Sequence, residues 1–300
     1  MTPAAAGSVA LAAGLDRLVA EPPGSLHPVA WLGRALGPLD RPWSRPRLVG
    51  AAMALAVPLV AAAVAAGGVA LAARVDPFGG AAVAGLVCFV CTSRRMLLDE
   101  ARAVVAASER DLPAARERLR ALAGRDADDL TAGEVRSAAV ESAAENLADG
   151  LVAPLAGFAL LAPTSLPLAA AAAAWIKAVN TLDSTFGYRS NPMGWAPARL
   201  DDVVMWAPAR ATAGLLALAG GAPGAVRSAR LHARAPDSPN SGWPMATIAT
   251  LLGVRLEKPG AYRLDGGPAL PTRTDAERGV EVVGRAGWLT FGLAGVVALC

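Results

Sequence analysis

Apolar runs recur along the chain at residues 48–73, 79–92, 147–176, 203–222 and 286–300, with a shorter one ahead of Asp16. Crossing a bilayer takes about 20 apolar residues, within a range of about 17–25, and 48–73 reaches that length uninterrupted. The run at 147–176 is long enough to cross once, but Pro154, Pro163 and Pro167 divide it. It predicts one kinked span or the two half-helices of a re-entrant hairpin, since irregular backbone at membrane depth survives only inside protein or beside a wet cavity. Pro208 and Arg210 interrupt 203–222, and an arginine there must face a bundle interior or a polar cavity. The pattern predicts an all-α polytopic integral membrane protein, one membrane-embedded domain over 1–300 with several spans and broken or re-entrant helices.

Two charged regions separate the runs. Residues 93–146 read as a cytoplasmic helical region, with Gly124-Arg125-Asp126 as a break. Thr131 and Glu134 have the spacing of a capping box that opens the next helix. That helix is expected to run amphipathically into the membrane edge. Residues 223–285 read as a cytoplasmic loop region. Orientation follows from the basic residues: Arg34, Arg41, Arg45 and Arg47 precede the first long span, and only Arg74 lies between it and the next. The turn near Asp76 is therefore external and 93–146 cytoplasmic, which requires an even number of crossings between Asp149 and residue 222.

Composition supports the membrane class over an alanine-rich soluble helical protein. The chain is 54% hydrophobic and 18% charged, with a mean hydropathy of +0.41. A net charge of +3, with arginines interleaved among acids, gives no nucleic-acid stripe. The first basic residue of the described pattern, Arg17, follows the first apolar stretch, so a retained helix is expected there and not a signal peptide. No P-loop or GxSxG elbow occurs, and Ser190, Ser238 and Ser241 have no His or Asp at telling positions. Cys88 and Cys91 lie in an apolar run without a second pair, which disfavours zinc. Gly220-Gly221 and Gly266-Gly267 read as turns.

The candidate chemistry lies where polar residues meet apolar runs. Glu141, Glu145 and Asp149 fall four apart and share one helix face, with no Lys or Arg between Arg136 and Lys177 to offset them. A divalent metal, an amine or a distant arginine would balance the charge. Lys177, Asn180, Thr181 and Ser184 lie along one face of a helix that ends near Gly187. Asp201 and Asp202 read as acids at a helix start, and Asp237 to Gly242 as a turn.

Three segments, ESAAENLADGLVAPL, KAVNTLDSTFGYRSNPMGWAPARLDDVVMWAPAR and SPNSGWPMATIATLLGV, resemble the cobalamin-biosynthesis membrane proteins called CbiB or CobD, the adenosylcobinamide-phosphate synthases. The resemblance starts at LDRLVAEPPGSLHPVAWLG and fades beyond Tyr262. It departs at Ala20-Glu21-Pro22, where the family has Gly-Asp-Pro, and at Glu257-Lys258, where it has Gly-Gly. The tail RLDGGPALPTRTDAERG carries no motif.

The resemblance implies joining a carboxylate of adenosylcobyric acid to the amine of aminopropanol phosphate or a related amino-alcohol phosphate. ATP with Mg²⁺ would activate the carboxylate through an acyl phosphate, and a general base would deprotonate the ammonium. Glu141, Glu145, Asp149, Lys177 and Asp183 become catalytic candidates, the first three also as Mg²⁺ ligands, with a change at Glu141 milder if that residue lies outermost. His27, Asn146, Asn180, Ser184, Arg199, Asp201, Asp202, Arg210, Ser238 and Asn240 become substrate-binding candidates. The implied setting is the cytoplasmic side of the inner membrane, with the lipid bilayer and a second copy of the chain as admissible partners. A transporter with a midplane polar site is the alternative.

Overall fold

The computed structural model describes residues 3–124, 126–188 and 191–300, so Arg125 and Ser190 of the sequence reading lie outside the described residues. In chain order the helices are α1 (Pro3–Val19), α2 (Pro28–Leu36), α3 (Pro46–Val75), α4 (Pro77–Cys91), α5 (Arg95–Arg110), α6 (Leu112–Ala123) and α7 (Ala132–Leu147). After a π-helical turn at Ala148–Val152 come α8 (Ala153–Leu161), α9 (Leu166–Phe186), α10 (Trp195–Val204), α11 (Trp206–Ala219), α12 (Ala225–Ala229) and α13 (Gly242–Leu252). A hairpin of β1 (Arg255–Lys258) and β2 (Tyr262–Asp265) precedes α14 (Arg273–Leu299). The protein is all-α and polytopic. Among the described residues four helical stretches are long and apolar enough to cross a membrane: Pro46–Val75, Pro77–Arg110, Ala132–Leu161 and Arg273–Leu299.

The chain forms two compact units. One comprises Met1–Ser93, Asp149–Met205 and Phe291–Cys300, the other Arg94–Ala148 and Trp206–Thr290. The second gathers both regions that the charge pattern set apart.

In the first unit α3 is apolar all round, as a lipid-facing helix must be. It exposes Leu55, Leu59, Val60, Val64 and Leu71 and buries Met53, Ala54, Ala65 and Val69. It turns into α4 at Asp76, whose carboxylate accepts from Gly79 N at 2.7 Å while Pro77 occupies the first helical turn. The 147–176 run forms two packed helices, not one kinked span. Pro154 lies in the first turn of α8, Pro163 in the connecting turn and Pro167 in the first turn of α9, where a missing N–H costs no helical bond. Gly150 O accepts from Ser93 N at 2.7 Å. This joins the start of the hairpin to the segment that follows α4.

The polar half of α9 comes back to that level, and the next segment reaches the start of α3. A Cβ on Gly50 would sit 1.9 Å from Met193 O, and one on Gly194 would sit 1.7 Å from Phe186 O. These glycines let three backbones meet. Residues 184–188 and 191–202 thus share the end of the unit that holds the N-terminus of α3 and Ser93. One expectation needs correction: Asp201 and Asp202 lie in the last turn of α10, not at a helix start. The 3-10 turn at Pro192–Gly194 leads directly into Trp195, so the helix begins earlier than the acids suggest.

In the second unit the expected capping box opens α7. Thr131 N donates to Glu134 Oε2 at 2.7 Å, and Glu134 N to Thr131 Oγ1 at 3.4 Å. The helix is not amphipathic. Its polar stripe is covered by the β-hairpin and by α13, so Ser137, Glu141 and Ser142 are buried with the alanines. The run at 203–222 breaks at Met205, and the 14-residue α11 packs on α13, too short to belong to the four candidate spans. Gly266 and Gly267 are more than turn residues: added Cβ atoms would lie 2.2 Å from Ala249 O and 1.9 Å from Gly253 O. The motif-free tail supplies β2, this close approach and the Thr272–Asp275 cap of α14, where Thr272 N donates to Asp275 Oδ2 at 2.9 Å.

Candidate functional site

Within the second unit a pocket of about 470 Å³ is lined by Glu145 and Ser142 of α7, Asp237, Ser238 and Ser241 of the turn before α13, and Lys258 and Tyr262 of the hairpin. Residues 145 and 238 come from two separate motif segments, and Tyr262 stands where the resemblance fades. The turn is built by its own side chain: Ser238 Oγ accepts from Asn240 N at 3.2 Å. Ser241 is the N-cap of α13, so the positive end of that helix opens at the pocket. The donor set is rich in oxygen, with two carboxylates and three hydroxyl-bearing serines beside one ammonium.

A layer of buried contacts holds this lining. Glu141 is 0% exposed and does not line the pocket. Its Oε1 accepts from Ser137 Oγ and its Oε2 from the Tyr262 hydroxyl, both at 2.7 Å. Ser137 Oγ in turn accepts from Glu257 N at 2.8 Å. Glu141 therefore fixes the hairpin and, with it, the pocket-lining tyrosine. The condition for a milder effect at Glu141, an outermost position, is not met.

Arg210 clamps the opposite support. Its Nη1 donates to Trp206 O at 2.6 Å and to Asn240 Oδ1 at 3.0 Å, and its Nη2 to Pro239 O at 3.5 Å. The guanidinium carbon lies 4.5 Å from the Trp206 ring centroid and 5.0 Å from that of Trp243. Asn240, 4% exposed, is thus the buried acceptor that ties the SPN turn to α11. An arginine so engaged positions the loop.

The remaining candidates belong to the first unit, Asn146 excepted. Asn146 is half-buried on α7 and does not line the pocket. Asp149 lies in the π turn, where the α-helical spacing that aligned it with Glu145 ends. His27 and Lys177 line a second, smaller pocket. Asn180 is half-buried on α9, and the exposed Ser184 donates to Thr181 O at 3.0 Å. Asp183 and Asp202 face each other electrostatically. Burial, reinforced by the Asp202 charge, pushes the Asp183 carboxyl up to about 6. Asp202 is also raised by burial, and Arg199, 3.4 Å away, opposes that rise. Asp201 is half-buried beside them.

Among the described residues no three His, Cys, Asp or Glu side chains are grouped to hold a metal. The face of three carboxylates is therefore not itself a metal cage. The sequence reading missed Asp237, Ser241, Lys258, Tyr262 and Ser142 as pocket residues. Asp237 adjoins a motif serine, and Lys258 marks a departure from the family pattern, so both carried a signal. Ser142 carried none.

Residues 9–287 match the family described as CobD/Cbib protein. The chain is similar to a probable cobalamin biosynthesis protein CobD of Methanothrix thermoacetophila, 34% identical over 293 residues that cover 92% of this chain and 91% of the relative. It is similar to a cobalamin biosynthesis protein CobD of Geobacter metallireducens, 38% identical over 297 residues, 91% of each chain. A third, from Klebsiella pneumoniae, is 37% identical over 265 residues, 83% of this chain and 81% of the relative. No solved structure matches the chain.

Proposed function

This chain belongs to the CobD/Cbib family and so to cobalamin biosynthesis, and from that premise we propose that it is an adenosylcobinamide-phosphate synthase. It joins a carboxylate of adenosylcobyric acid to the amine of aminopropanol phosphate, or a related amino-alcohol phosphate, with ATP as the activating substrate. The observation that carries the reading is the convergence of Glu145, Ser238 and Tyr262 on one pocket. The relatives' names speak of biosynthesis, which favours this reading over transport.

The chemistry explains the residue types. The carboxylate oxygen attacks the terminal phosphorus of ATP and ADP departs. The amine nitrogen then attacks the acyl carbon, and phosphate leaves with that oxygen. The ammonium must lose a proton before it attacks, which calls for a carboxylate at the reacting end of the pocket. Glu145 is half-buried and pocket-lining, and it has this role in the proposal. Lys258 and the N-terminal end of α13 face transferred phosphate charge.

Mg²⁺ fits the donor set, since it takes oxygen ligands and binds through one or two carboxylates plus substrate phosphates. Glu145 and Asp237 would hold it, and when bound it neutralises phosphate charge. Ser238 and Ser241 orient phosphate oxygens through their hydroxyls, and the Glu141–Tyr262 bond keeps the hairpin closed over them. The active side is the cytoplasmic face of the inner membrane. Purified protein supplied with ATP, Mg²⁺, adenosylcobyric acid and aminopropanol phosphate should release one ADP per adenosylcobinamide phosphate formed. Folded protein that yields neither, or yields product without ATP, overturns the proposal.

A further inference from the structure

The first unit holds a cleft of about 510 Å³ where the chain enters α3, walled by Arg41, Trp43 and Pro46 on one side and by Tyr188 and Asn191, beyond α9, on the other. Pro46 is the first residue of α3. Leu48, Leu55 and Leu59 of that helix are exposed, and at ~100° per residue they share one face. At ~1.5 Å per residue the stripe is about 16 Å long, the depth of one leaflet in a hydrocarbon core about 30 Å thick. The cleft at its head therefore lies at the level of the lipid headgroups.

The charge at that level is one-sided. Residues 34–47 carry Arg34, Arg41, Arg45 and Arg47 against Asp40 alone, four cations to one anion. All four arginines are exposed, and among the described residues Arg41, Arg45 and Arg47 have no carboxylate at ion-pair distance. Basic residues next to a span mark the cytoplasmic leaflet, whose anionic lipids attract them.

Within the cleft one cation is set in place. The guanidinium carbon of Arg41 lies 4.3 Å from the Trp43 ring centroid. The ring is itself fixed: its Nε1 donates to Leu39 O at 3.0 Å, and its body packs on the cluster of Leu36, Phe186 and Met193. Stacking occupies the face of a guanidinium and leaves its in-plane N–H fork, which matches two phosphate oxygens. Asn191 accepts from Met193 N at 3.1 Å with its side-chain oxygen, so its amide N–H groups remain as donors. Asp40, exposed in the lining, is the one group that opposes an anion there.

We infer that this cleft binds the headgroup of an anionic glycerophospholipid of the phosphatidylglycerol type. The phosphate sits on the Arg41 fork and the Asn191 amide, and an acyl chain lies along Leu48, Leu55 and Leu59. At ~30 Å³ per water the cleft has the volume of about seventeen waters, room for the phosphate and its glycerols. The inference needs only the membrane-spanning fold and is independent of the reaction proposed above.

Native mass spectrometry of the full chain in detergent, titrated with dioleoyl phosphatidylglycerol or dioleoyl phosphatidylcholine, reads the affinities directly. Phosphatidylglycerol should bind at least tenfold more tightly. Arg41→Gln should lower its affinity by about ten- to hundredfold, as expected for lost charge-assisted hydrogen bonds, and leave phosphatidylcholine unchanged. Arg41→Lys should retain part of the affinity, and Asp40→Asn should raise it. Arg47→Gln, outside the lining, should cost at most about fivefold, the scale of an exposed charge. Equal affinity for the two lipids, or wild-type affinity in monodisperse Arg41→Gln, would overturn the inference. Equal losses at Arg41 and Arg47 would do so too, by reducing the cleft to a diffuse basic surface. Release of phosphatidylglycerol by excess ATP would also overturn it, since the phosphate held there would then be a nucleotide's.

Discussion

Tyr262 donates its hydroxyl hydrogen to Oε2 of Glu141 at 2.7 Å, joining residues 121 positions apart in sequence. The carboxylate is fully buried, so the bond is both a structural tie and the means by which α7 holds the rim of the motif pocket. A hydrogen bond to a charged group contributes about 1.5–3 kcal/mol. Tyr262→Phe should therefore destabilise the protein by that amount in chemical unfolding and lower turnover as well. Unchanged stability would show that the hydroxyl serves only a ligand.

Glu145→Gln should lower amide formation by about 10²–10⁴-fold, the usual contribution of a general base. The thermal midpoint should stay near that of wild type, because the side chain lines a pocket and does not fill the core. Steady-state rates and a thermal melt on the same sample check both halves. Near wild-type turnover would remove Glu145 from the chemistry.

Arg210→Lys tests the clamp. A lysine keeps the charge but loses the forked donors and the contacts with Trp206 and Trp243, at a cost of about 1–3 kcal/mol. The melting temperature should fall, and pocket-dependent activity with it. A raised KM for a phosphate-bearing substrate at unchanged stability would instead make Arg210 a substrate ligand.

The sequence and structure diverge at particular places, for physical reasons. The long span at Pro46–Val75, the Thr131 capping box, the polar face of α9 and its end at Gly187 were legible because each depends on residues within a turn or two of one another. The burial of Glu141 was not, since its covering partners arrive from a hairpin more than 100 residues later, and the four-residue strands that carry them, RLEK and YRLD, have no alternation long enough to read. Asp201 and Asp202 looked like helix-opening acids because the 3-10 turn that starts α10 early leaves little local signal. Arg210 looked like a substrate-binding residue, and only the fold brings the Asn240 and Pro239 oxygens to it.

Asp183 gives a pH prediction. Burial and Asp202 raise its folded pKa to about 6 from the ordinary 3.8. Above that value the native state holds a disfavoured carboxylate, and this destabilisation is relieved as pH falls from about 6 toward 3.8. Asp183→Asn should raise the thermal midpoint at pH 7.5 and do so less at pH 5. A gain that is equal at both values would mean that the carboxyl is not strained in the folded protein.

Tyr188, exposed at the same end of its unit as Ser93 and the start of α3, reports the membrane side. With Cys88, Cys91 and Cys300 replaced, Tyr188→Cys should resist a membrane-impermeant thiol reagent in intact cells and react in inverted vesicles. Labelling in intact cells would place this end of the first unit outside.

The central claim is that ATP activates a corrinoid carboxylate for attack by an amine. Adenosylcobyric acid carrying ¹⁸O in its reacting carboxylate tests this most directly. Transfer through an acyl phosphate predicts one ¹⁸O in the inorganic phosphate for each amide formed, with none in ADP, by mass spectrometry of a single-turnover reaction. Phosphate that contains no label, or label recovered in AMP, would contradict the account.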